Sequence, residues 1–141
     1  MAGIAMKLIL QKEVTGCGIA CVAMLSNRSY AQARKIAARH GIFAADRRLW
    51  SDAHYVRHLL AQLKIKVAKV EKPFTAWNRL PNCALLAIKW HREKGIPFWH
   101  WTVFIRDKER NYVLDPKQGL KNNRRTDFGR IKPKWFIEVA L

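Results

Sequence analysis

The segment from Cys17 to Ser26 is the strongest constraint on the fold of this chain. Its residues, CGIACVAMLS, are apolar on almost every side of a helix, and such a helix has to lie in the interior, covered by other elements. A polar stretch over 11–16, QKEVTG, leads directly into it. The sequence therefore predicts a central buried helix that begins at a cysteine.

Two further helices are predicted before residue 64. Ser29 is a suitable N-cap for a helix over 30–39, and Gly41 would close that helix. Ser51 is predicted to cap a third helix over 52–63. The apolar residues of this third helix fall on one face, as expected for a helix that packs on a core: Val56, Leu59, Leu60 and Leu63.

After Leu63 the pattern changes to alternating and β-branched or aromatic residues, which indicates strands. A hairpin turn is predicted over 106–111, and a loop with two prolines over 72–82. The strands are predicted over 64–70, 84–90, 100–105, 111–115 and 135–140. Helices first and strands second predict an α+β fold, with helices packed on a mostly antiparallel sheet, in a single domain over 1–141.

The composition is that of a globular protein, with half of the 141 residues apolar and 11% aromatic. No apolar run reaches the roughly 18 to 20 residues of a membrane helix, and the first residues are interpreted as structure rather than a signal peptide. Three cysteines are an odd number. They favour a reduced, cytoplasmic setting with at least one free thiol, and a secreted effector is the alternative.

The net charge of +17 predicts an acidic partner or substrate. Between residues 117 and 134 there are seven Lys and Arg residues, against Asp127 alone. A solvated loop explains this run most simply. Nucleic-acid binding through counterion release is a second possibility, although no nucleic-acid-binding motif accompanies it, and an acidic peptide or protein fits equally well.

Cys17 at the start of the buried helix would lie close to free backbone N–H groups and the positive end of the helix dipole. Both favour a thiolate, which is a nucleophile for amide bonds if a base is at hand. Of the five histidines, His100 opens an apolar strand, FWHWTVF, and is the predicted base. His54 and His58 lie four residues apart on a solvated helix face without a third ligand, so no zinc site is predicted there.

Asp115 ends the strand that follows His100, in YVLDP. If the hairpin pairs Arg106 with Asn111, Asp115 stands opposite Thr102 and diagonally across from His100. A slip of one residue would turn Asp115 to the other face of the sheet. The sequence thus permits an Asp115–His100 contact, and a turn residue before a proline is the simpler interpretation of this aspartate.

Gln11 lies six residues before Cys17. Its side-chain amide could join the backbone N–H of Cys17 in stabilising a tetrahedral oxyanion. A surface glutamine is the alternative interpretation of Gln11, and a buried structural thiol is that of Cys17. Cys21 and Cys83 are predicted to be core residues.

These residues in order resemble one family. Gln11, then CGIACVAML, HWTVF and VLDP followed by Gly119, and finally DFGRIKPKW, resemble the papain-like peptidase domain of bacterial peptide exporters, which trims leader peptides after a double glycine. The resemblance implies a papain-like fold and a cysteine peptidase that needs no metal or organic cofactor. It implies Cys17 as nucleophile, His100 as base, Asp115 as the group that orients the base, and Gln11 in the oxyanion hole.

Two departures from the family matter. No exporter membrane or ATPase domain follows, so a stand-alone module is expected, and Trp99 and Trp101 flank His100, which allows a different substrate cleft. The expected partners are a peptide or protein substrate of acidic character and a transporter or inhibitor protein. The alternatives are a papain-fold toxin or effector with protease, deamidase or acyltransferase activity, and a non-catalytic basic module that binds nucleic acid or an acidic protein.

Overall fold

The structure is a computed structural model and describes residues 6–108 and 110–141. Three helices come first: α1 (Cys17–Leu25), α2 (Tyr30–Arg39) and α3 (His54–Gln62). Short 3-10 turns lie at Arg47–Ser51 and Trp77–Arg79. The strands are β1 (Lys66–Val67), β2 (Lys72–Pro73), β3 (Cys83–Glu93), β4 (Ile96–Asp107), β5 (Arg110–Leu114), β6 (Arg124–Arg125) and β7 (Pro133–Ala140).

Helix α1 is the centre of the molecule. All of its residues are buried, and it packs against α2, α3 and the long strand β4. An all-round apolar sequence forces this position, because no face of the helix can be exposed without cost. The predicted buried helix with Cys17 at its start is confirmed. Among the described residues, no helix combines the length and apolarity that crossing a bilayer requires.

The sheet has the order β1-β7-β3-β4-β5-β6, with β2 also paired to β7, and every pair is antiparallel. Alternate residues of the central strands face opposite sides, as the pleat requires. One face, with Leu85, Trp101 and Val103, packs on the helices. The other face, with Leu86 and Phe104, is covered by residues of the loops that follow β2 and β6. The predicted α+β fold is confirmed.

The hairpin between β4 and β5 has the register that places Asp115 on the same face of the sheet as His100. Arg106 pairs with Asn111, and Val103 pairs with Leu114. Continuing this pairing by one step places Asp115, the residue after β5, opposite Thr102. Glu109, within the predicted turn, lies outside the described residues.

The helix ends show one prediction confirmed and one wrong. Ser29 caps α2 through a reciprocal capping box with Gln32, and Gly41 closes the helix in the left-handed region with φ of 74°. Ser51, in contrast, lies in a 3-10 turn, where its hydroxyl donates to the carbonyl of Arg48. Asp52 takes its place, because the Oδ1 atom of Asp52 accepts the N–H of His54 at 2.7 Å.

The edges of the sheet differ most from prediction. The predicted strand over 64–70 is reduced to β1, and β2 lies inside the predicted loop over 72–82. Both short strands pair with β7. Within 64–73, the residues that form strand are therefore those that hydrogen-bond to β7. β6 was not predicted. Strands of two residues leave too little alternation to be recognised in a sequence.

Gly18 generates a prediction about how tightly α1 is packed. A Cβ atom at Gly18 would lie 2.0 Å from Tyr55 Oη, and Tyr55 is only 3% exposed. We expect Gly18→Ala to lower the free energy of unfolding by about 1–3 kcal/mol, because the overpacked tyrosine has no space to move into. Denaturant titration measures this difference.

Gly129→Ala is the matched control, since a Cβ atom at Gly129 meets nothing within 4 Å. Equal effects of the two substitutions on the free energy of unfolding would contradict the packing of Tyr55 on the first turn of α1.

Candidate active site

Cys17 is the first residue of α1 and is 1% exposed. Its neighbour Gly16 provides no side-chain cap for the helix, so the N–H groups of the first turn remain available for the thiol and for a substrate. Gly16 also allows close packing, because a Cβ atom there would lie 2.1 Å from Tyr30 Oη. The thiol is thus held by tightly packed backbone on both sides.

The sulfur of Cys17 meets the sheet at the edge of β4. The backbone N–H of Trp101 donates to Cys17 Sγ at 3.4 Å. This N–H is free because the β5 ladder stops at Leu114, which pairs with Val103. Continuing the ladder would place Pro116 opposite Trp101. A buried N–H needs an acceptor, and the sulfur at the start of α1 supplies it.

His100 lies on β4, opposite Ile88 of β3. Its side chain is 13% exposed. The Nε2–H group donates to Asp115 Oδ1 at 2.6 Å, and the next residue along β4, Trp101, is the one whose N–H reaches Cys17 Sγ. The structure therefore brings together three residues that the sequence analysis selected: Cys17, His100 and Asp115.

Asp115 directly follows β5, and its side chain is fully buried. Besides His100, its Oδ1 atom accepts the backbone N–H of Lys117 at 3.1 Å. The Oδ2 atom accepts a hydrogen bond from Arg125 Nη1, also at 3.1 Å. Its backbone is held by Asn123, whose carbonyl accepts the Asp115 N–H at 2.9 Å. These contacts satisfy a buried carboxylate that would otherwise be very unfavourable.

Arg125 is a site residue that the sequence analysis missed, because it counted only as one charge in the basic run over 117–134. It lies on β6, opposite Val113, and it bridges Asp115 to Asp127, which accepts from Arg125 Nη2 at 2.9 Å. The sequence carries only an indirect signal for the role of Arg125. A buried aspartate at the end of a strand needs a second cationic partner, but its position depends on the unpredicted β6.

The surroundings of His100 and Asp115 favour the charged form of each side chain. Burial by itself lowers the pKa of His100, but the hydrogen bond with Asp115 and the nearby Cys17 outweigh it and raise the pKa from 6.5 to about 9. Burial raises the pKa of Asp115, but the hydrogen bond and charge of His100 outweigh it, so the net pKa is lowered. At neutral pH an imidazolium therefore faces a carboxylate.

Gln11 lies beside this group but is turned towards its own loop. It is 6% exposed, and its backbone N–H donates to the carbonyl of Pro116 at 2.9 Å. Its Nε2 donates to the carbonyls of Glu13 at 3.0 Å and Val14 at 2.9 Å. Gln11 Oε1 is buried with no partner among the described residues. The amide hydrogens of Gln11 are therefore engaged by the loop that leads to Cys17, and its role as an oxyanion donor stays a prediction.

The remaining cysteines are core residues, as predicted. Burial raises the pKa of Cys21 well above its ordinary value and raises the pKa of Cys83 to about 12. His58 lies on the surface and contacts His40 at 3.2 Å between ring nitrogens. No group of three or more His, Cys, Asp and Glu side chains within residues 6–108 and 110–141 has a geometry that could hold a metal ion.

A cleft of about 510 Å³ opens over His100 and Gln11. Its walls combine polar and charged side chains with three large aromatic ones: Trp99 is one of these, and Trp50 and Phe98 pack edge to face with ring centroids 6.3 Å apart. Trp101, in contrast, is fully buried in the core. Only one of the two tryptophans that flank His100 therefore shapes the substrate cleft.

A thiol at the start of a buried central helix, an imidazole from the antiparallel sheet and a carboxylate after the next strand together define a papain-like cysteine peptidase. The sequence comparison agrees with this class. The model of the peptidase C39 family matches residues 5–136, and the chain belongs to that family. No curated protein sequence matches the chain.

Two solved structures share the fold. One is a double glycine motif protease from an AMS/PCAT transporter in complex with the leader peptide, with a TM-score of 0.59 and 17% identity over 98% of this chain and 93% of that one. The other is the peptidase domain of Streptococcus ComA, a bi-functional ABC transporter of a quorum-sensing pathway. It has a TM-score of 0.62 and 16% identity over 95% of this chain and 97% of that one.

The raised pKa of His100 predicts a pH-dependent stability. A histidine whose folded pKa is above its unfolded value stabilises the fold fully below the unfolded pKa, here 6.5, and this contribution is lost as the pH rises through about 9. We expect the wild type to lose about 2 kcal/mol more unfolding free energy than Asp115→Asn between pH 6 and pH 10. Denaturant titrations at both pH values measure the difference.

Asp46→Asn serves as the control, because Arg48 is the one ion-pair partner of Asp46 among the described residues. This substitution should leave the pH dependence of the wild type unchanged. Parallel curves for the wild type and Asp115→Asn would rule out the charged His100–Asp115 pair.

Proposed function

We propose that this cysteine peptidase cleaves a peptide after a double glycine, with Cys17 as nucleophile, His100 as acid and base, and Asp115 as the residue that orients His100. The observation that carries the proposal is the convergence of three residues: His100 Nε2 donates to Asp115 Oδ1 at 2.6 Å, and Cys17 Sγ accepts the N–H of Trp101, the residue after His100, at 3.4 Å. Nucleophile, base and orienting group in contact are the arrangement that acyl transfer requires.

In the first step, the Cys17 sulfur attacks the carbonyl carbon of the scissile bond and forms a C–S bond, and the carbonyl oxygen becomes an oxyanion. The N–H of Cys17 and the amide of Gln11 stabilise this oxyanion, for which the Gln11 amide turns away from the loop carbonyls. The intermediate collapses as the C–N bond breaks, and the imidazolium of His100 gives its proton to the leaving amine.

In the second step, neutral His100 takes a proton from a water molecule, whose oxygen attacks the thioester. The C–S bond then breaks, the acyl group leaves as a carboxylic acid and the proton returns to the Cys17–His100 pair. Asp115 keeps Nε2 of His100 occupied throughout, so Nδ1 is the ring nitrogen that serves Cys17. Arg125 holds the other oxygen of Asp115 and thereby fixes the plane of the carboxylate.

A double glycine suits the depth of this site. Cys17 is 1% exposed and the His100 side chain 13% exposed, so a scissile carbonyl reaches the sulfur only if the neighbouring substrate residues have little or no side chain. The solved double glycine motif protease with its leader peptide is a fold neighbour of this chain, which supports the same choice of substrate.

The charge and the neighbours suggest the partners. A net charge of +17 would attract a leader of acidic character. Both solved neighbours come from transporters, and we therefore propose that the product of cleavage is passed to a peptide exporter.

A cleavage assay tests the proposed function. We expect the wild type to cut a synthetic peptide, an acidic helical leader ending in Gly-Gly and followed by a short cargo, after the second glycine. Cys17→Ala should abolish cleavage, because the nucleophile is lost, and Cys21→Ala is the matched control one helical turn away. Mass spectrometry of the products identifies the cut.

A peptide in which both glycines are replaced by valine should remain intact. Cleavage by Cys17→Ala at the wild-type rate would refute the nucleophile, and equal cleavage of the valine peptide would refute the double-glycine preference.

The proposed role of Gln11 predicts an effect on chemistry rather than on binding. Removal of one oxyanion donor typically costs about 10²–10³ in kcat. We expect Gln11→Ala to lower kcat by about 100-fold with little change in KM, measured with the same peptide. Gln62→Ala, at the exposed end of α3, is the control. An unchanged kcat for Gln11→Ala would limit Gln11 to bracing the loop.

A further inference from the structure

Strand β3 contains a bulge beside the active site. Ile88 pairs with His100 and His91 pairs with Phe98, so Lys89 and Trp90 together stand opposite a single residue of β4. Lys89 has a φ of 55°, in the left-handed region, which is unfavourable for a residue with a side chain. Strain of this kind is a reason to ask what the redirected side chain of Lys89 does.

Lys117 approaches the same place from the opposite side. Its backbone N–H donates to Asp115 Oδ1, so the position of Lys117 is tied to the orienting carboxylate of the active site. Lys89 and Lys117 both line the cleft that contains His100. Burial, followed by the amino group of Lys117, lowers the pKa of Lys89, as expected for two cations that share one cleft.

Neither lysine has an anionic partner in the part of the chain that the structure describes. Two carboxylates of the chain also line the cleft, and each already has a neighbouring side chain as partner. Glu13 pairs with Arg34 at 2.9 Å, and Glu93 lies 3.6 Å from the ring of His91. Two ammonium groups in one cleft repel each other, and an anion bound between them attracts both and offsets this repulsion.

We propose that Lys89 and Lys117 form a subsite for a substrate carboxylate close to the scissile bond. The proposal rests on the proposed peptidase function and adds a specificity to it: the preferred peptide carries an acidic side chain at one of the two positions after the double glycine, or ends there in a free carboxylate. Charge-assisted hydrogen bonds from two lysines would hold this carboxylate, and its distance from Cys17 would help to set the cleavage register.

Matched peptides test the subsite. Each is a Gly-Gly substrate, blocked at both ends, with Asp or Asn at the first or the second position after the bond. A further pair with a short cargo ends in a free carboxylate or an amide, which separates a side-chain source of the anion from a terminal one. We expect the wild type to favour one acidic peptide over its neutral partner by about tenfold in kcat/KM.

In Lys89→Gln/Lys117→Gln this ratio should fall to within about twofold of unity. Lys35→Gln/Lys132→Gln removes the same charge from exposed positions outside the cleft and should keep the wild-type ratio. A wild-type ratio of one for every pair would overturn the subsite and leave the peptidase function intact. An equal loss of preference in both double variants would also overturn it, since general charge would then be the cause.

Alkylation of Cys17 tests the subsite without any cleavage. Iodoacetate is a carboxylate and iodoacetamide its neutral analogue, and with either the sulfur displaces iodide to form a thioether. We expect the ratio of the iodoacetate rate to the iodoacetamide rate to fall about tenfold in the lysine double variant and to stay constant in the control. If no peptide is cleaved, the proposed function fails while this ratio still decides the subsite, and an unchanged ratio overturns it.

Discussion

The contact between the start of α1 and the open edge of β4 is the interaction on which the rest of the site depends. Because β5 stops at Leu114, the N–H of Trp101 has no strand partner, and it donates to Cys17 Sγ instead. The sulfur of the first residue of a buried helix thereby accepts the hydrogen bond that a neighbouring strand would otherwise accept. The same contact holds the sulfur beside His100. Because β5 ends before Asp115, the side chain of Asp115 can reach the imidazole.

The chain stabilises the buried charges of this site with contacts from several segments. Asp115 receives donors from β4, from the turn at Lys117 and from Arg125 on β6. Each donor offsets part of the cost of burying a carboxylate. Because these segments are separate in sequence, the contacts of Asp115 form only when β4, β5 and β6 have come together. The geometry of the site and folding are therefore coupled through one carboxylate.

The sequence predicts the central parts of this molecule well because they have local signals. The all-apolar helix, the capping box at Ser29 and the parity of the β4–β5 hairpin each follow from short-range patterns. The parity was sufficient to place Asp115 diagonally across from His100. What could not be predicted depends on tertiary pairing: the two-residue strands on β7, the partnership of Arg125 with Asp115, and the bulge that turns Lys89 into the cleft.

The protonation of His100 tests the central claim most directly. NMR of protein labelled with ¹⁵N in histidine follows each imidazole during a pH titration, and His100→Gln assigns the signal. The structure predicts that His100 titrates near pH 9 in the wild type and moves towards its ordinary value in both Cys17→Ala and Asp115→Asn. A His100 that titrates near 6.5 in all three proteins would show that thiol, imidazole and carboxylate do not act together.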